Sequence, residues 1–186
     1  IGADTESDSA YARSKAEGEA NVLEAFRGAV ITRPSIIFGP EDDFFNRFAG
    51  MARMSPVLPL VGAETKFQPV FVGDVAAAIV AALKGRAKGG KTYELGGPEV
   101  ASFREFMAKM LKVIGRKRLI VSLPSPIAKF NAAFLQLLPK PLLTLDQVRQ
   151  PAPDHVVSKK ALSGHLTLQY LVIAPPATIA TLTRYR

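Results

Sequence analysis

The chain holds 186 residues, of which 48% are hydrophobic, enough to bury the core of one domain with or without a small attached lobe; global disorder is excluded. It contains no cysteine, which removes a disulfide scaffold and a cysteine-based zinc site from consideration, and its histidines, His155 and His165, lie in a Pro-rich tail and make a poor metal pair. The net charge of +8 gathers at residues 84–91, 109–118 and 159–160. Such clusters are solvated faces, or they meet an anionic lipid surface, an acidic protein or a phosphorylated cofactor. Nucleic acid is not expected, because no zinc finger, RRM signature or aromatic-interleaved basic strand accompanies the charge. No apolar run reaches the roughly 20 residues of a membrane-spanning helix, and no signal peptide opens the chain. The first residue is Ile and residues 1–10 read as a loop, so the chain is expected to begin inside a longer protein.

In chain order, Ser9 or Asp8 is expected to cap a helix rich in Ala, Glu and Lys that reaches about Arg27. "AVITRPSIIFG" predicts a buried strand running into a loop, closed by Pro34 and Gly39. A helix is expected over residues 44–54, with Phe44, Phe45, Phe48, Met51 and Ala52 on one side. "MSPVLPLVGAETK" reads as a loop and "FQPVFV" as a strand. "GDVAAAIVAALKG" reads as a helix capped by Asp74 and stopped by Gly85. "KTYELGGPE" predicts a strand and turn. Residues 103–114 form an amphipathic helix whose stripe is Phe103, Phe106, Met107, Met110, Leu111 and Ile114. "LPSPIAKFNAAFLQLLPKP", apolar nearly all round, reads as a buried helix in preference to one lying in a membrane interface. From Gln150 onward the periodicity weakens.

Alternating strands and helices over the first hundred residues argue for an α/β fold with a parallel sheet. About three strands can be counted, half of a doubly wound sheet. The expected divisions are 1–100 as that half domain, 101–150 as a small, mostly helical lobe, and 151–186 as an irregular tail.

The opening helix places Tyr11 four residues ahead of Lys15, one turn apart and on one face. Alone, the pair reads equally well as two residues on a solvated surface. Its order relative to "RPSIIFGP" at a strand end and "QPVFVGDVA" at a helix start is similar to that of the short-chain dehydrogenase/reductase superfamily, in its extended, epimerase-like branch. More narrowly, "RPSIIFGPEDDFFNRFAGM", "QPVFVGDV" and "LTLDQVR" resemble the NAD(P)H-binding accessory subunits of respiratory complex I and their bacterial relatives. The resemblance spans roughly residues 1–150.

The resemblance implies the C-terminal half of a Rossmann-like domain, with NAD or NADP as cofactor. It assigns Tyr11 and Lys15 the catalytic and cofactor-binding positions, and Pro34, Ser35 and Ile36 contact with the nicotinamide carboxamide. A free phenol keeps its proton to about pH 10, and in this superfamily a neighbouring ammonium and an oxidised nicotinamide favour the phenolate. Tyr11 would then exchange a proton with substrate while hydride moves, and Lys15 would hold the ribose hydroxyls; equally, both residues would only grip the nucleotide.

Three departures qualify the resemblance. No glycine-rich phosphate turn occurs, the position of the family's catalytic Ser falls at or before Ile1, and Phe67 and Phe71 stand where sugar-nucleotide enzymes carry Arg and His. The first two place the chain in the C-terminal part of a longer protein; the third argues against a nucleotide-sugar substrate, since two apolar rings offer a diphosphate no hydrogen bonds. The expected protein is an NAD(P)H-binding, accessory-subunit-like one whose nucleotide is structural or regulatory. The alternatives are an active oxidoreductase or epimerase using Tyr11 as acid/base, and a docking module without a nucleotide. Partners expected beside the dinucleotide are a protein complex or an anionic membrane surface, in the cytoplasm or on the face of the inner membrane.

Overall fold

The protein is described from a computed structural model covering residues 1–123 and 154–172. The apolar segment after Leu123 and the "LTLDQVR" motif lie outside the described residues. The helices are α1 (Ala10–Ala25), α2 (Phe45–Met54), α3 (Val72–Leu83), α4 (Phe103–Val113), α5 (Lys159–Ser163) and α6 (Leu168–Leu171). The strands are β1 (Ile31–Pro34), β2 (Ile37–Phe38), β3 (Val57–Val61), β4 (Lys66–Phe67), β5 (Val70–Phe71), β6 (Thr92–Leu95), β7 (Ala101–Ser102) and β8 (Leu119–Leu123). Their α/β order and parallel pairing are those the alternating sequence predicts. The described chain divides into two compact units, one of Ile1–Asp42, Phe67–Val100 and the segment from His155, the other of Asp43–Lys66 and the segment from Ala101.

In the first unit, Ser9 caps α1, its side chain accepting from Ala12 N–H at 3.4 Å. The run at residues 29–39 forms two strands rather than one. Pro34 ends β1 because it brings no N–H to the ladder. Up to that point β1 pairs in parallel with β6, Ile31 opposite Thr92 and Pro34 opposite Leu95; beyond it β2 pairs with β5, Ile37 opposite Val70. β5 runs into α3 without an intervening loop, so the helix begins at Val72 with Phe71 as its N-cap residue. Asp74 therefore does not cap α3: it sits inside the first turn, 8% exposed. Gly85, at φ +81°, stops the helix as expected, with Arg86 N–H returning to Ala81 O at 3.0 Å. The core gathers Val70, Val75, Ala78 and Ala81 from β5 and α3, Tyr93 and Leu95 from β6, and Leu168 and Leu171 from α6.

That last contribution departs from the irregular tail expected after residue 150. Ser158 caps α5 by accepting from Ala161 N–H at 3.1 Å, and α6 buries Leu168 and Leu171. These helices are of five and four residues, too short to show a 3.6-residue period in the sequence. Gln68 ties this segment in: its side-chain nitrogen donates to Gly97 O at 2.7 Å, and its oxygen accepts from Val157 N–H at 2.9 Å.

In the second unit, residues 57–61 form a strand where a loop was expected. β3 pairs in parallel with β8, from Val57 opposite Leu119 to Val61 opposite Leu123, and buries Leu58 and Leu60 on alternate positions. Pro56 and Pro59 mask the pattern in the sequence. Pro59 is tolerated because, among the described residues, β3 has one strand partner, and an edge strand does not need every N–H. A capping box starts α4: Ser102 Oγ accepts from Glu105 N–H at 3.3 Å while Glu105 Oε2 accepts from Ser102 N–H at 2.7 Å. The expected apolar stripe of α4 is buried at Phe103, Phe106, Met107, Met110 and Leu111. Phe45 of α2 meets Phe106 edge-on at 6.3 Å, and Phe48 meets Phe103 at 5.2 Å. Removing a ring as buried as Phe106 costs about 3–5 kcal/mol, so this aromatic cluster is a main support of the unit.

Candidate functional site

The Tyr11–Lys15 pair is formed. Helical spacing sets the two side chains on one face of α1, and the Lys15 ammonium lies 5.3 Å from the centroid of the Tyr11 ring. A cation over a phenol face is attracted by the ring quadrupole, by about 0.5–1 kcal/mol at an exposed site. Tyr11 is 66% exposed, so the phenol and ammonium are presented outward with their hydrogen-bonding capacity available to a ligand.

One further turn along the same face stands Glu19, at the fourth residue after Lys15. It is bound by Arg33 of β1: Nε lies 2.8 Å from Oε1, and Nη2 lies 2.6 Å from Oε2. Both side chains are largely sheltered, 26% exposed for Arg33 and 18% for Glu19. The hydrogen bond to Glu19 holds the Arg33 guanidinium's pKa above its usual value. Neither residue stands out by motif: Glu19 carries only the signal of its spacing from Tyr11 and Lys15, and Arg33, the one charge inside an apolar strand, shows its purpose only beside its acid. Together they fasten the Tyr11–Lys15 face to the residue immediately before Pro34.

Pro34, Ser35 and Ile36 occupy the end of β1 and the step to β2, as the strand-end reading requires. Their polar groups are extensively used within the chain. The Ile1 nitrogen donates to Pro34 O at 2.7 Å, Ser35 N–H donates to Leu95 O at 2.9 Å, and Val70 N–H donates to Ile36 O at 2.9 Å. The Ser35 hydroxyl, 8% exposed, donates to His155 O at 2.9 Å. Each carbonyl keeps a second lone pair for a carboxamide, while the Ser35 N–H is already committed.

Phe67 and Phe71 are packed against other rings. Phe67 is stacked on His155 at 5.3 Å with the planes 1° apart, and Phe71 tilts against Phe38 at 5.9 Å. An apolar ring in either place binds no phosphate. Among the described residues, no group of three or more His, Asp or Glu side chains is arranged to hold a metal ion.

Comparison with known proteins shows the family of the chain. The family described as RmlD substrate binding domain matches residues 3–141. The protein named NADH dehydrogenase (ubiquinone) 1 alpha subcomplex subunit 9, mitochondrial, of Arabidopsis thaliana is 43% identical over 173 residues, which are 87% of this chain and 43% of that protein. The Mus musculus protein of the same name is 33% identical and aligned with 92% of this chain and 51% of its own length. The chain thus spans about half, or less, of the curated relatives it matches. Among solved structures, dTDP-4-dehydrorhamnose reductase of Bacillus anthracis in complex with NADP superimposes with a TM-score of 0.63 at 18% identity, over 94% of this chain and 53% of that one. That likeness speaks for the fold. By its sequence match, its parallel α/β pairing and its Tyr–Lys helix, this chain belongs to the RmlD substrate-binding domain family of short-chain dehydrogenase/reductase-like proteins.

Proposed function

We propose that this chain belongs to a nicotinamide-dinucleotide-binding protein that serves as an accessory subunit of a respiratory NADH dehydrogenase, with the nucleotide in a structural or regulatory role. The observation that carries the reading is the α1 face on which Tyr11 and Lys15 are paired and which Glu19 and Arg33 fasten beside Pro34. Phenol and ammonium so placed donate to ribose hydroxyls, and the second lone pairs of Pro34 O and Ile36 O accept from a carboxamide. The stacked Phe67 and the packed Phe71 disfavour a sugar diphosphate as substrate. Relatives named as mitochondrial subunits of NADH dehydrogenase support membership of such a complex. Among the described residues no helix is long and apolar enough to cross a membrane.

The test is calorimetric titration of the full-length protein with NADH and with NADPH. Binding of one or both is expected. Lys15→Ala should weaken it by about 1.5–3 kcal/mol, the scale of hydrogen bonds from a charged donor. Tyr11→Phe should leave most of the affinity in place. No binding of either dinucleotide would overturn the proposal, and unchanged affinity in Lys15→Ala would remove Lys15 from the site. Substrate turnover abolished by Tyr11→Phe would replace a structural nucleotide by acid/base catalysis.

A further inference from the structure

Just past α4, Gly115 takes a positive φ of +65°, which turns the chain so that residues 116–118 fold back beside the last turn of the helix. Lys112, Arg116, Lys117 and Arg118 then line an open groove of about 520 Å³ whose apolar lining is Ala108, Leu111 and Ile120. No acidic residue lines it. Among the described residues no carboxylate pairs with Lys112, Arg116 or Lys117. Arg118 is held: its Nε donates to Ala52 O at 2.6 Å and its Nη1 to Lys117 O at 3.1 Å.

A basic helix end often serves the helix itself, by completing unpaired carbonyls and opposing the dipole. Here backbone donors already meet the last carbonyls: Ile114 N–H donates to Met110 O at 3.0 Å, Gly115 N–H to Lys112 O at 3.3 Å, and Arg116 N–H to Leu111 O at 2.9 Å. Lys112 alone lies in the last turn. Three consecutive cations beyond it exceed what the dipole uses, because its field falls off within a turn.

We propose that this groove docks the protein on an anionic lipid surface, with headgroup phosphates meeting Lys112, Arg116 and Lys117 and the less polar part of the lipid lying against Leu111 and Ile120. Charge complementarity and the apolar floor choose the occupant. A cationic rim over an apolar floor fits an anionic amphiphile, and a groove of this size holds a headgroup rather than the broad face a folded protein partner buries. The proposal is independent of the nucleotide reading.

Flotation of the full chain with phosphatidylcholine vesicles containing about a third phosphatidylglycerol tests it, with pure phosphatidylcholine as reference. Binding is expected to the anionic vesicles alone and to fall at high salt. Replacing Lys112, Arg116 and Lys117 by Gln should lower the partition coefficient roughly tenfold or more. A control with Lys84, Lys88 and Lys91 changed to Gln removes the same charge elsewhere and should retain most of the binding. Arg116→Gln with Lys117→Gln lies outside α4, keeps the helix intact, and should still lose several-fold. Equal losses in the two triple variants would reduce the effect to net charge and overturn the site, as would no loss in either. Displacement by inorganic phosphate at matched ionic strength would overturn the lipid assignment in favour of a soluble anion.

Discussion

Arg33 joins Glu19 through two of its nitrogens, so the helix bearing Tyr11 is bolted to the strand that ends at Pro34. A planar fork against a carboxylate fixes direction as well as distance, which a lysine in the same place would not do. Glu19→Gln or Arg33→Lys should therefore cost about 1–2 kcal/mol of stability, above an exposed pair because both groups are sheltered. Urea unfolding measures the loss. In the full-length protein each substitution should also weaken nucleotide binding, although neither residue is assigned a contact with it. Unchanged stability in both would show that the pair is incidental.

Asp74 makes a second prediction. Its Oδ2 is buried with no hydrogen-bond partner among the described residues, and burial raises its pKa from the ordinary 3.8. An acid with a raised folded-state pKa binds its proton more tightly when folded. Its contribution to stability is then complete below about pH 3.8 and is lost as pH rises through the folded value. Asp74→Asn should remove this decline and leave the protein about 1 kcal/mol more stable at neutral pH. Unfolding free energies measured across the acidic range test the sign. A constant difference between wild type and variant at every pH would refute it.

Two glycines stand at opposite ends of what the fold tolerates. A Cβ at Gly97 would collide with Pro69 O, a backbone atom unable to retreat alone. Gly97→Ala should cost about 3 kcal/mol or more. At Gly50, inside α2, a Cβ meets nothing within 4 Å, and Gly50→Ala should stabilise by about 0.5–1 kcal/mol. Thermal unfolding of the two variants should shift in opposite directions.

The helices are legible where one face repeats over several turns, as in α4, and the strands where β-branched residues run together, as in β1. β3 is hidden in the sequence because Pro56 and Pro59 are turn signals taken alone, while what decides the matter is a partner strand 62 residues further along that leaves Pro59 without a required bond. Asp74 looked like a cap because a capping residue usually precedes a helix; the direct passage from β5 to α3 moved the helix start ahead of it. For the site, spacing gave Tyr11 and Lys15, and it contained Glu19 too. Arg33 needed the structure, since a cation in an apolar run declares its purpose only when its acid is seen.

Gln68 has a consequence in time as well as in space. Its amide closes one loop to Gly97 across 29 residues and another to Val157 across 89. Bonds over such separations are gained only after the chain's larger contours are in place, because closing entropy must be met before the contact returns anything. Gln68→Ala should therefore leave the refolding rate nearly unchanged and accelerate unfolding, so that the same side chain that draws three distant segments together acts chiefly as a brake on their separation.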